Sequence, residues 1–86
     1  MTVEPDEVKS IVLATLADLT AIPADQIPET AQLIRDLRLD GDDFSLVFVP
    51  SVEKALNVKT DPLGWEEVYT VQQAIDFLRA AVGRLR

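Results

Sequence analysis

One serine stands between two carboxylates and an apolar run in the stretch GDDFSLVFVP. The hydroxyl of Ser45 could be a point of covalent attachment, with Asp42 and Asp43 attracting the enzyme that modifies it. The alternative is an ordinary exposed serine in the first turn of a helix. Two other serines lie inside segments with helical periodicity and are weaker candidates: Ser10 and Ser51.

The acidic residues before Ser45 could instead hold a metal ion, since divalent cations such as Mg²⁺ and Ca²⁺ prefer carboxylate oxygens. Asp40, Asp42 and Asp43 are close together in the sequence. Their spacing lacks the full calcium-loop pattern, and acidic residues in this position more often cap a helix and favour its positive end. We therefore expect no metal site here.

The chain contains no histidine and no cysteine. Their absence excludes imidazole acid–base catalysis, thiol nucleophiles, thiolate zinc sites and disulfides. An enzyme would have to use carboxylate chemistry, and the sequence shows no obvious pocket for a substrate. We expect a protein that is not an enzyme.

Fifteen acidic and eight basic residues give a net charge of −7. This charge repels phosphate backbones and anionic lipid headgroups, which argues against nucleic acid and membranes as partners. A protein with a basic surface is the better candidate, because complementary charge accelerates encounter and fixes orientation. The N-terminal residues do not resemble a signal peptide and no apolar run approaches the ~20 residues that span a bilayer, so we expect a cytoplasmic location.

Hydrophobic periodicity predicts helices at both ends of a single domain that covers residues 1–86. The first helix is predicted to begin at Pro5 and to end near Thr20. Proline suits a first turn, because the backbone N–H that it lacks would have no partner there. Its apolar stripe comprises Val8, Ile11, Val12, Leu16 and Leu19. The last helix begins at Thr70, a plausible N-cap. Its stripe comprises Val71, Ala74, Ile75, Leu78, Ala81, Val82 and Leu85.

Between these helices the sequence predicts a long connection and two further helical segments. Residues 22–40 contain two prolines and scattered apolar anchors, and a helical turn over 30–37 could shorten this loop. A short helix is expected between Asp61 and Tyr69, where Asp61 precedes Pro62 as at a helix start. The anchors of the connection are Ile22, Ile27, Leu33, Ile34, Leu37 and Leu39.

The apolar run after Ser45 is ambiguous in its secondary structure. Taken alone it would pass as a strand, but an isolated strand among helices would leave its backbone groups without partners. We therefore predict a helix that starts at the acidic pair. Pro50 removes a backbone hydrogen bond and crowds the preceding turn, so we expect a kink or broken turn between about Leu46 and Pro50. The predicted core stripe of this helix comprises Leu46, Val49, Val52, Ala55 and Leu56.

Three apolar residues beside this stripe are open to two interpretations: Phe44, Val47 and Phe48. If exposed, they form an apolar patch of the kind that marks a protein interface. If the irregularity at Pro50 turns them inward, they add to the core. Trp65 on the short helix is open to the same two interpretations.

Residues 70–78, with the sequence TVQQAIDFL, closely resemble the start of the last helix of acyl carrier proteins. Asp36 and Leu37 resemble the Asp-Leu pair that precedes the modified serine of that family. Ile27 and Leu33 fall where its first loop carries apolar anchors. The likeness covers nearly the whole chain, and it implies an all-α four-helix bundle with three main helices, a short third helix and a long first loop.

In acyl carrier proteins one serine, in an Asp-Ser-Leu motif at the start of the second helix, carries 4′-phosphopantetheine. Counting back from Leu56, as the apolar residue that ends this helix, places Asp42 at the position of that serine. Counting forward from the pair at 36–37 places Gly41 there, and Ser45 lies about one helical turn later. The Gly-Asp-Asp replacement resembles a group of acyl-carrier-like bacterial proteins that keep the fold and have lost the serine.

The residues and the resemblance together imply an interaction module without a cofactor, which binds a basic protein surface through the start of the second helix. The expected contact residues are Asp40, Asp42, Asp43, Phe44, Val47, Phe48 and Glu53. The alternative is a working acyl carrier with 4′-phosphopantetheine on Ser45, which serves fatty-acid, polyketide or related acyl transfer.

Overall fold

The computed structural model describes residues 5–83, and this part of the chain is helical without a strand. A short 3-10 turn, Ala24–Gln26, lies in the first connection. The prediction of an all-α fold is confirmed. No helix within the described residues is long and apolar enough to cross a membrane. The helices are α1 (Pro5–Thr20), α2 (residues 41–56), α3 (Pro62–Trp65) and α4 (Val71–Gly83).

The core lies where α1, α4 and α2 meet. The predicted stripe of α1 is buried at four-residue steps, at Val8, Val12 and Leu16. The predicted stripe of α4 is also buried, at Val71, Ala74, Ile75, Leu78 and Val82. Leu85, the last predicted member, lies outside the described residues. Both end helices therefore follow their hydrophobic period.

The connection between α1 and α2 is held to the core by apolar side chains. Ile34 is exposed and Ile22 half-buried, while the other four predicted anchors are buried: Ile27, Leu33, Leu37 and Leu39. The predicted helical turn over 30–37 is reduced to one isolated turn, in which the Asp36 N–H donates to the Gln32 carbonyl at 2.9 Å.

This connection also supplies hydrogen bonds to the start of α4. The Val71 N–H donates to the Ala31 carbonyl at 3.0 Å, and the Gln72 N–H donates to the Glu29 carbonyl at 2.8 Å. The first N–H groups of a helix have no partner inside the helix. The loop carbonyls therefore satisfy donors that α4 cannot satisfy itself.

Thr70 caps α4, as the sequence predicts. Its hydroxyl accepts a hydrogen bond from the Gln73 N–H at 3.1 Å, and the Gln73 side-chain oxygen accepts one from the Thr70 N–H at 3.1 Å. This reciprocal arrangement is a capping box. The start of α3 is also as predicted, with the Asp61 carboxylate accepting from the Leu63 N–H at 3.0 Å.

Helix α2 contains a π-helical turn in front of Pro50. Gly41–Asp43 and Val49–Leu56 are α-helical, and Phe44–Phe48 between them is π-helical. The Val49 N–H donates to the Phe44 carbonyl, five residues earlier. The wider turn accommodates a residue that has no N–H to donate and whose ring crowds the turn before it. An irregularity is present before Pro50, as predicted, but it is a wider turn within a continuous helix and not a broken turn.

The predicted core face of α2 is partly wrong. Val52 and Leu56 are buried as expected, but Leu46 is 71% exposed and Ala55 is exposed. Phe48 is buried completely instead. Leu46 and Phe48 both lie in the π-helical turn, which holds more than 3.6 residues, so the α-helical period that relates Val52 to Leu56 does not extend back to Leu46.

Candidate functional site

The start of α2 presents exposed carboxylates and no hydroxyl. Asp40 occupies the N-cap position, but its side chain makes no capping hydrogen bond. Asp42 and Asp43 are exposed in the first turn, where negative charge favours the positive end of the helix. A Cβ atom added to Gly41 would have no neighbour within 4 Å. Among the described residues no group of acidic side chains could hold a metal ion.

Ser45 lies in the π-helical turn, one turn beyond the start of the helix. Its side chain is exposed, and its hydroxyl forms no hydrogen bond to any described residue. It is therefore accessible, but it stands away from the first turn, where the resemblance to acyl carrier proteins puts the modified serine.

Four aromatic rings form a cluster between α2, α3 and α4. Phe44 stacks on Phe48 with ring centroids 5.5 Å apart. Trp65 makes edge-on contacts with these two rings at 5.6 and 5.9 Å, and with Phe77 at 4.7 Å. Gly64 permits this approach, because a Cβ atom there would lie 2.5 Å from the Phe77 ring. The cluster fixes the position of α3 relative to α2 and α4.

This cluster decides between the two roles that the sequence leaves open. Phe48 is 0% exposed and Trp65 is buried, so both pack in the core. The prediction that Phe48 contacts a partner is therefore wrong, because the aromatic cluster covers this side chain. Phe44 is half-buried and Val47 is 41% exposed, so these two remain available for contact.

A chain of hydrogen bonds links α3 to α2 through the loop between them. The Trp65 indole N–H donates to the Thr60 hydroxyl at 2.6 Å, and that hydroxyl donates to the Glu53 carboxylate at 2.7 Å. The Thr60 backbone N–H donates to the same carboxylate at 2.7 Å. Glu53, predicted as a contact residue, therefore also has a structural role.

The loop reaches this position because α2 ends in a left-handed turn. Asn57 has φ 54° and ψ 47°, and the Val58 N–H donates to the Glu53 carbonyl at 3.0 Å. These features form a Schellman motif, which reverses the chain. An asparagine after the last apolar residue of a helix is the only sequence signal for it, and nothing in the local spacing indicates that Thr60 then meets Glu53.

Two grooves lie beside α2 and α3, and they share the wall residues Phe44, Ser45, Pro62 and Trp65. The Val49 groove has a volume of about 380 Å³, and its other wall residues are Val49, Pro50, Glu53, Lys59 and Thr60. The Tyr69 groove has a volume of about 370 Å³, and its other wall residues are Ile34, Glu66, Val68 and Tyr69. Ligand pockets have volumes from ~300 Å³ upward. The described residues therefore form grooves of this size, which the sequence does not indicate.

Large apolar side chains remain exposed around these grooves. Leu46 and Val47 are exposed on α2, and Leu63 is exposed on α3. Ile34 and Tyr69, which line the Tyr69 groove, are more than half exposed. Exposed apolar surface near a groove is typical of a contact site.

No model of a known protein family matches the sequence, and no curated protein is significantly similar to it.

Proposed function

We propose that the chain is an acyl-carrier-protein-like interaction module that lacks the phosphopantetheine serine and binds a protein partner through the start of α2. The observation that carries the proposal is the chemistry at positions 41 and 42. Both lie at the start of α2, and they hold a glycine and an exposed aspartate in place of a hydroxyl. Neither Gly41 nor Asp42 can accept a phosphopantetheine group.

The arrangement of the helices supports the likeness to acyl carrier proteins. A long first connection, tied by Ile27 and Leu33, precedes α2, and a short α3 precedes α4. The α4 sequence TVQQAIDFL begins at a true helix cap. These are the features that the resemblance implies for the fold.

The proposed contact surface combines charge with apolar area. It comprises Asp40, Asp42, Asp43, Phe44 and Val47, which are exposed or half-buried, with Glu53 at its edge. A basic partner surface would meet the carboxylates, which would mainly raise the association rate. The apolar side chains would contribute most of the affinity.

The proposal is tested by intact-mass analysis after treatment with a phosphopantetheinyl transferase and coenzyme A. We expect the mass to stay unmodified, because the serine position has no nucleophile. The variant Asp42→Ser is the matched control, since it restores a hydroxyl at an exposed first-turn position. A phosphopantetheine adduct on the natural protein that disappears in Ser45→Ala would overturn the proposal.

The second candidate function is that of an acyl carrier modified on Ser45. The observation in its favour is that Ser45 is exposed and lines both grooves. Against it, Ser45 lies three to four residues, or ~5 Å, further along the helix than position 41 or 42, where the resemblance places the modified serine. The same mass measurement separates the two candidates.

A further inference from the structure

The Val49 groove is open at one side to the surface of α2 and is walled by aromatic and aliphatic side chains. Phe44 and Trp65 form part of the wall, and Val49 and Pro62 contribute to it. The ring contacts and the hydrogen bond from Trp65 to Thr60 hold this wall in place. A wall that is already ordered saves the cost of ordering it on binding.

We propose that the Val49 groove receives one apolar side chain of the partner, presented next to basic residues of the same partner segment. The inference rests on the proposed function, since it assumes a protein partner. The volume of the Val49 groove, about 380 Å³, is near the lower limit for ligand sites, and this size suits a single anchor side chain. Aromatic anchors suit it best, because Phe44 and Trp65 offer ring faces and edges.

The charge around the groove selects the chemistry of the occupant. Between Asp40 and Glu67 the sequence has seven carboxylates and two lysines. The wall of the Val49 groove itself has one carboxylate, Glu53, and one lysine, Lys59, so the negative field comes from the surrounding segment and from Glu66 in the adjoining Tyr69 groove. This field attracts lysine or arginine beside the anchor, and it disfavours an occupant that carries its own carboxylate, such as a free fatty acid.

Ser45 supplies a way to block the groove without disturbing the core. Its side chain is small, exposed and part of the wall of both grooves. A phenylalanine at this position would fill the space that the anchor needs. Ser51 is the matched control, because it is exposed on the same helix and lines neither groove.

The test is an NMR titration of the ¹⁵N-labelled chain, which has one tryptophan and hence one indole N–H resonance. The probes are the peptides acetyl-Phe-Lys-Lys-amide, acetyl-Gly-Lys-Lys-amide and acetyl-Phe-Glu-Glu-amide, together with decanoate. We expect the Phe-Lys-Lys peptide to shift the Trp65 indole and the Val49 amide. Loss of the phenyl group should weaken binding at least ~10-fold, because burying such a side chain is worth more than that factor.

Two pairs of variants give the remaining expectations. Ser45→Phe should weaken the Phe-Lys-Lys peptide at least ~10-fold, whereas Ser51→Phe should leave its affinity within about twofold. Lys59→Glu, in the wall of the Val49 groove, should tighten this peptide, and Glu66→Lys, on the exposed rim of the adjoining Tyr69 groove, should weaken it, each by a few fold at low salt. These two variants alter charge only and test the proposal independently of Ser45→Phe.

Three results would overturn this inference. The first is tighter binding of decanoate than of the Phe-Lys-Lys peptide, which would assign the groove to an acyl chain. The second is equal binding of the Gly-Lys-Lys and Phe-Lys-Lys peptides without a shift of Trp65. In that case the carboxylates bind a basic partner and the groove does not, so the proposed function stands while the inference fails. The third is an unchanged affinity in Ser45→Phe.

Discussion

Thr60 serves two partners with one hydroxyl, and it does so from a loop. It accepts from the Trp65 indole N–H and donates to the Glu53 carboxylate. Because Trp65 is a wall residue of both grooves, the shape of the candidate site depends on an atom outside any helix. A residue of this kind has no signature in helical periodicity.

Replacing Thr60 with valine keeps the shape of the side chain and removes its hydrogen bonds. The buried indole N–H then loses its partner, so we expect the free energy of unfolding to fall by ~1–3 kcal/mol. Urea denaturation gives this value. The control is Thr30→Val, at an exposed loop position, which should change stability by less than ~0.5 kcal/mol. Equal losses in the two variants would show that the Thr60 hydroxyl does not stabilise the fold.

Phe48 and Val47 are neighbours in sequence with opposite environments. Phe48→Ala should lower the free energy of unfolding by ~3–5 kcal/mol, because the side chain is completely buried among other rings. Val47→Ala shortens a side chain that is 41% exposed and should cost less than ~1 kcal/mol. Chemical denaturation of both variants measures these two losses of stability. A larger loss in Val47→Ala than in Phe48→Ala would place Phe48 on the contact surface.

The π-helical turn sets how α2 presents its side chains. Hydrogen bonds across five residues place more residues in the turn than the 3.6 of an α-helix. Phe44 and Ser45 in the turn are therefore rotated relative to the regular part, Val49–Leu56. This rotation turns Phe44 toward the ring of Trp65.

The stability effect of Pro50 measures how well the turn accommodates it. A proline forced into a regular helix interior costs ~3 kcal/mol, and its replacement by alanine would then return that amount. Since α2 already widens before Pro50, we expect Pro50→Ala to change the free energy of unfolding by less than ~1 kcal/mol. Urea denaturation beside Pro62→Ala, a first-turn proline, provides the comparison. A gain near ~3 kcal/mol would mean that Pro50 strains the helix.

The elements differ in how far the sequence predicts them. Helices α1 and α4 follow a clear apolar period, and Thr70 marks the start of α4, so both are predicted with their buried faces. The face of α2 is predicted only in its second half, because a wider turn changes the register that periodicity assumes. The contact of Glu53 with Thr60 depends on the chain reversal at Asn57. The grooves depend on packing between helices. Local spacing in the sequence encodes neither.

Charge is distributed unevenly along the chain. The segment 40–67, which contains α2 and α3, has seven acidic and two basic residues, a net charge of −5, and residues 1–29 have an equal net charge. The candidate contact surface therefore lies in one of two acidic segments, whereas residues 68–86 have a net positive charge. The negative net charge destabilises the folded state through repulsion between like charges, and it attracts a basic partner.

Salt should therefore stabilise the free protein. Raising NaCl from ~20 mM to ~500 mM shortens the screening length several-fold and weakens repulsion between the exposed carboxylates. We expect the Tm to rise, as measured by circular dichroism. The double variant Glu66→Gln and Glu67→Gln, at exposed positions after α3, should melt higher at low salt and respond less to NaCl. A Tm that falls with salt would show that attractive ion pairs dominate.

The carbonyls of Glu29 and Ala31, which complete the first turn of α4, join an irregular loop to a regular helix. Neither can open alone, because fraying of the helix start breaks the loop's hydrogen bonds and lifting of the loop leaves helix donors unpaired. The two therefore form one cooperative unit of local unfolding. Cleavage of the chain near Glu29 would accordingly loosen α4, some forty residues further along the sequence.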